Sequence, residues 1–89
     1  MRIEKASPSV FTPLPDGTGV LLNLDTRFYY TLNRTATALW QLIEEGTVVT
    51  LDELLRDTEQ RFEVSEDAAR SFIIKFIEQL ETFKMVRVL

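Results

Sequence analysis

The runs VLLNL and FYYTL, residues 20–24 and 28–32, are separated only by the polar DTR. Both are rich in aliphatic, β-branched and aromatic residues, and so short a polar break between two such runs reads as a β-hairpin. A tight hairpin locks its strands into one register, because a slip of one residue exchanges the two faces of a strand. The apolar pattern selects a three-residue loop at 25–27, which pairs Leu24 with Phe28, Leu22 with Tyr30 and Val20 with Leu32 on one wholly apolar face. Leu21, Asn23, Tyr29 and Thr31 then share the other face, and Arg27 takes the left-handed position where such loops favour glycine. Tyr30 is thus turned inward and Tyr29 outward.

Around the hairpin the local signals are those of short strands and capped helices. SVFTPL, broken by proline, suits an edge strand or a tethered arm, and PDGTG supplies a turn. Asn33 is placed to cap a helix over 34–45 that carries Ala36, Leu39, Trp40 and Ile43 at helical spacing, with Gly46 to end it. Asn33-Arg34-Thr35 also matches a glycosylation sequon, but with no secretory signal the cap is the better reading. Thr50 and Glu53 form a capping box ahead of LDELLRDTEQRF, whose inner face is Leu51, Leu54, Leu55 and Phe62. Ser65 caps a third helix with the stripe Ala69, Phe72, Ile73, Phe76, Ile77, Leu80 and Phe83, and MVRVL follows as a short strand or tail. Three strands followed by three helices predict a single α+β domain over 1–89, a three-stranded antiparallel sheet packed on a three-helix bundle in winged helix-turn-helix order.

Charge and residue types narrow the function. Ten basic against fourteen acidic residues give a net charge of −4, which argues against nucleic-acid phosphates or an anionic bilayer as the dominant partner. The winged-helix order keeps a DNA-binding module as an alternative, yet on the third helix Arg70, Lys75, Gln79 and Lys84 are offset by Glu66, Asp67, Glu78 and Glu81. Without cysteine or histidine there is no thiolate or imidazole to ligate a metal or act as a base. The carboxylate pairs Glu44-Glu45 and Glu66-Asp67 sit at helix ends with no nucleophile or phosphate loop beside them, so neither catalysis nor a cofactor is expected. No apolar run reaches membrane-spanning length and the N-terminus lacks a signal-peptide core, which predicts a soluble cytoplasmic protein. On the third helix Ile74 falls outside the stripe, near Arg70 and Glu81. With Tyr29 it would line a groove between strand and helix, beside an edge where an extended peptide can add itself to the sheet.

The run GVLLNLDTRFYYTLNRTATALWQLIEEGTVVTLDELL, with FIEQL further on, resembles the PqqD-like family, the peptide-recognition domains of ribosomally made, modified natural products. The matching features are the apolar hairpin, the YxLN step at 30–33, Ala38 and Trp40 of the first helix, and Gly46 with Thr47 before the second; together they span about 18 to 86. The stretch before the first helix lacks the Pro-Glu segment of the pyrroloquinoline-quinone member, and the compact LLNLDTRFYYTLN is more like the free-standing recognition proteins of lasso-peptide pathways. Phe72 stands where many relatives carry an acidic residue, which removes a polar leader contact there. The resemblance implies a fold that binds the leader segment of a precursor peptide as an extra strand on the third strand, against the third helix, and delivers it to a leader peptidase and then an ATP-dependent cyclase. The residues expected to form that wall are Phe28, Tyr29, Tyr30, Thr31, Leu32, Arg70, Ile73, Ile74 and Ile77, of which Ile73 and Ile77 also suit plain core positions. An adaptor that binds only the partner enzyme is the remaining alternative.

Overall fold

A computed structural model describes residues 1–46 and 48–89. Thr47, part of the Gly-Thr step in the resemblance, lies outside the described residues. The elements run β1 (Arg2–Lys5), β2 (Ser9–Pro13), β3 (Gly19–Asn23), β4 (Tyr29–Leu32), α1 (Arg34–Glu45), β5 (Val49–Thr50), α2 (Leu51–Phe62), α3 (Glu66–Thr82) and β6 (Val86–Val88). The architecture is α+β and winged helix-turn-helix-like, as expected, but it holds two antiparallel sheets of three strands rather than one, ordered β5-β1-β6 and β2-β3-β4. MVRVL is a strand, and the N-terminal segment forms another between it and β5. β1 and β5 are too short to announce themselves, and all three strands pair only with strands distant in the chain.

The helices start where their caps place them. Asn33 Oδ1 accepts from Ala36 N at 2.9 Å, Thr50 Oγ1 from Glu53 N at 3.2 Å and Ser65 Oγ from Ala68 N at 3.2 Å, each satisfying a donor that the first turn leaves free. Their inner faces bury Trp40, Leu39, Ile43, Leu54, Ile73 and Leu80 in a core that also takes Ile3 and Val86 from the first sheet and Leu21 from the second. Trp40 is fully buried, its indole N–H donating to Glu44 Oε2 at 3.0 Å.

The hairpin register differs from the expected one by a residue. The observed pairs are Leu22 with Tyr29, Leu21 with Tyr30, Val20 with Thr31 and Gly19 with Leu32, around a four-residue loop at 24–27. Strand β4 keeps the predicted faces, but β3 is inverted: Leu21 and Asn23 are buried, whereas Leu24 and Phe28, expected to pair inside, are exposed. The cause is Asn23. Its carboxamide oxygen accepts from Asp25 N (2.9 Å) and Thr26 N (3.3 Å), closing the loop, while Nδ2 donates to Phe83 O at 3.3 Å. A buried amide with its partners supplied is tolerated inside, and its closure of the loop outweighs the apolar alternation. Arg27 does adopt the left-handed conformation, with φ 67°.

The β2–β3 turn is held by Asp16, whose carboxylate accepts from the hydroxyl and the N–H of Thr18, and Gly17 supplies the positive φ of 89°. Those two hydrogen bonds, the hydroxyl's first, hold the Asp16 carboxyl below its ordinary range.

Candidate functional site

Sheet order leaves β4 with one neighbour, β3, and therefore one open edge. Which backbone groups face that edge follows from the ladder. Asn23 N–H donates to Phe28 O at 2.9 Å, which makes that a hydrogen-bonded pair position. Antiparallel pairs alternate, so Tyr30 and Leu32 also direct their N–H and C=O groups to β3. Tyr29 and Thr31 turn theirs outward. The other side of the sheet obeys the same alternation: Leu24 N donates to Pro8 O and Leu14 N to Thr18 O, which leaves Pro13 at a position where no ladder N–H is required.

Beside the open edge runs a groove of about 600 Å³, walled by β4 on one side and α3 on the other. Tyr30, Leu32, Ala36, Phe72, Phe76 and Leu80 make its apolar floor. Phe83 stands at one end with its ring stacked on Tyr30, centroids 4.5 Å apart and planes 19° from parallel. Phe72 and Phe76 form a second aromatic pair, 6.2 Å apart. Along α3 the far rim carries Lys75 and Gln79, both exposed, and Lys75 is the one charged side chain among the described lining residues. From Phe72 to Phe83 the helical wall is about 16 Å long, room for about five residues of extended chain.

Of the residues expected here, Tyr29, Tyr30, Thr31 and Leu32 do line the groove. Tyr29 is 69% exposed, Tyr30 half-buried and Leu32 buried in the floor. Phe28 is 66% exposed at the strand's entrance but is not a lining residue. The expected helical residues lie on the other flank of α3, outside the groove lining. Ile73 and Ile77 are core, at 0% and 2% exposure; Arg70 pairs with Glu66 at 3.2 Å; and Ile74, half-buried, does not reach the groove. At about 100° per residue, Phe72, Lys75, Gln79 and Phe83 lie to one side of Phe76, whereas Arg70, Ile73, Ile74 and Ile77 lie to the other. Phe72 and Phe83, assigned to the core stripe, form its groove-side flank, Phe72 half-buried against the core and Phe83 exposed. The gathering of Phe72, Phe76 and Phe83 along one margin of the stripe was the available signal, since burying a single face does not require the aromatics to collect on one side of it.

The groove offers hydrogen-bonding backbone along one wall and aromatic surface below, an arrangement suited to holding an extended peptide. Among the described residues there is no cluster of acidic side chains able to hold a metal ion, and no helix is long and apolar enough to cross a membrane.

Comparison with known proteins bears on the family and the fold. The family model described as coenzyme PQQ synthesis protein D (PqqD) matches residues 18–86. No curated protein sequence matches the chain. Among solved structures, TbiB1 in complex with the TbiA(beta) leader peptide superposes with a TM-score of 0.84, covering 97% of this chain and 96% of that one at 21% identity. At that identity the likeness is one of fold.

Proposed function

Because the chain belongs to the coenzyme PQQ synthesis protein D family, we propose that it binds the leader segment of a ribosomally made precursor peptide as an added strand on β4 and delivers it to a leader peptidase in a lasso-peptide or related pathway. The observation that carries this reading is the open β4 edge lying along an apolar groove. TbiB1, which shares the fold, was solved with a leader peptide bound.

The outward N–H and C=O groups of Tyr29 and Thr31 supply ladder bonds, which give affinity with little sequence information. Guest residues opposite Tyr30 and Leu32 share the inner face of the sheet and drop their side chains onto Phe72, Phe76 and Leu80. Apolar residues two apart are therefore what the groove reads. The protein acts by binding rather than catalysis. By holding the leader it raises the local concentration of the attached core peptide at the partner enzyme. Ordering a flexible peptide offsets part of the contact energy, so dissociation constants from about micromolar to tens of nanomolar are expected.

The test is calorimetric titration with a synthetic leader of the precursor encoded beside the gene. Tyr29 is exposed, so Tyr29→Ala should weaken binding while changing stability by no more than about 0.5 kcal/mol. Unchanged affinity in Tyr29→Ala, or no binding by the wild type at about 100 micromolar peptide, counts against the proposal.

A further inference from the structure

A strand added to β4 has two edges, and β4 satisfies only one. The guest's other edge faces α3, and its N–H and C=O groups lose water on that side as the guest enters the groove. Polar groups desolvated without partners are costly, so the far wall of a good strand site should supply them. An apolar wall would not.

The rim of α3 has the right groups at the right interval. Lys75 and Gln79 are four residues apart, about 6 Å along the helix axis. Groups on one edge of a strand recur every second residue, at about 6.6–6.8 Å. The directions also match. Tyr30 stacks on Phe83 at one end, and Thr35, just beyond β4, shares a small pocket with Phe72 at the other, so β4 and α3 run side by side in opposite senses. A guest between them meets Lys75 and Gln79 in succession. Both side chains are exposed, and neither takes part in a hydrogen bond or ion pair among the described residues, although the other basic side chains of α3 and β6, Arg70 and Arg87, are paired.

We propose that Lys75 and Gln79 form a second hydrogen-bonding wall, gripping the outer backbone edge of the guest strand while β4 grips the inner one. The inference rests on the strand-addition reading above and extends it to the positioning of the guest. Gln79 offers an acceptor and two donors and so can match both the N–H and the C=O of one guest residue; Lys75, a donor only, serves a carbonyl one repeat along. Recognition along both edges makes grip largely independent of guest side chains, and leaves sequence reading to the aromatic floor.

The experiment replaces backbone amides of the synthetic leader one at a time by esters, which removes the N–H of one residue and weakens the carbonyl of the residue before it, on the opposite edge, without altering side chains. Each ester is named by the edge its lost N–H faced, and comparison between proteins isolates the α3 side. Titrations of wild type, Lys75→Met and Gln79→Leu, both changes at exposed positions, give the coupling. Esters facing β4 should weaken binding to all three proteins. Esters at the intervening positions should weaken binding to the wild type about three- to tenfold, and the one whose lost N–H faced residue 79 should weaken binding to Gln79→Leu clearly less than it does to the wild type. If the intervening esters weaken binding to all three proteins alike, strand addition stands and the second wall is wrong. If esters matter at no position, or if the rim variants lose affinity equally for every ester so that no position couples to either side chain, the second wall is overturned; insensitivity at all positions removes the strand-addition reading with it.

Discussion

Thr31→Pro separates binding from folding more sharply than any side-chain truncation. The N–H of Thr31 faces the open edge and takes no part in the β3 ladder, so proline there costs β4 none of its existing hydrogen bonds. Tyr30, the residue before it, is already extended, as a residue preceding proline must be. The guest fares differently: one ladder bond is lost, about 0.5–1.5 kcal/mol, and the guest carbonyl that accepted it is left desolvated, about 1–3 kcal/mol. A loss of about 2–3 kcal/mol is a weakening of some 30- to 150-fold, and the pyrrolidine ring, projecting where the guest backbone approaches, adds to it. Thr31→Val, which keeps the N–H and the β-branched shape, should bind as the wild type does. The assay is paired calorimetry and thermal melting. If Thr31→Pro melts within a few degrees of wild type and binds the leader with unchanged affinity, no guest strand pairs with β4 and the proposed mode of binding is wrong.

Two further predictions concern what holds the site in place. Trp40→Ala should cost about 3–5 kcal/mol because the indole is fully buried, lowering the melting midpoint by about 15 °C or more while leaving leader affinity intact in whatever fraction stays folded at low temperature. Asn23→Ala should destabilise by about 2–4 kcal/mol through loss of three hydrogen bonds, two of which close the 24–27 loop, and chemical denaturation should show it as a lower midpoint; a change under about 0.5 kcal/mol would refute the account of the register.

The contrast between α1 and the hairpin shows what is legible from residues alone. Helix starts are written locally, with a cap and its first turn within four residues, and all three fall where Asn33, Thr50 and Ser65 indicate. The hairpin register is decided partly by Asn23 reaching Phe83, a partner brought close only by the finished fold. On α3 the apolar stripe is visible, but periodicity cannot say which flank looks toward β4; that depends on how the helix docks. The inward turn of Tyr30 was readable because alternation along a single strand needs no partner. The sheet β5-β1-β6 was not, because each of its strands is defined only by the others.

An edge that accepts a visitor is also open to a second copy of itself. Strand β4 reads YYTL, with no charge, proline or bulge to discourage that meeting. Its protection comes from its length rather than its flanks. Arg27 precedes the strand and Arg34 follows it. Arg34 already belongs to α1 and is turned away to the β2–β3 turn, its Nε donating to Asp16 O at 2.8 Å, so Arg27 is the flanking charge left at the edge. What limits pairing with a second copy is therefore brevity: four residues offer few outward ladder groups, and without a groove-filling side chain from its partner the edge gains little. The strand is protected by how soon it ends.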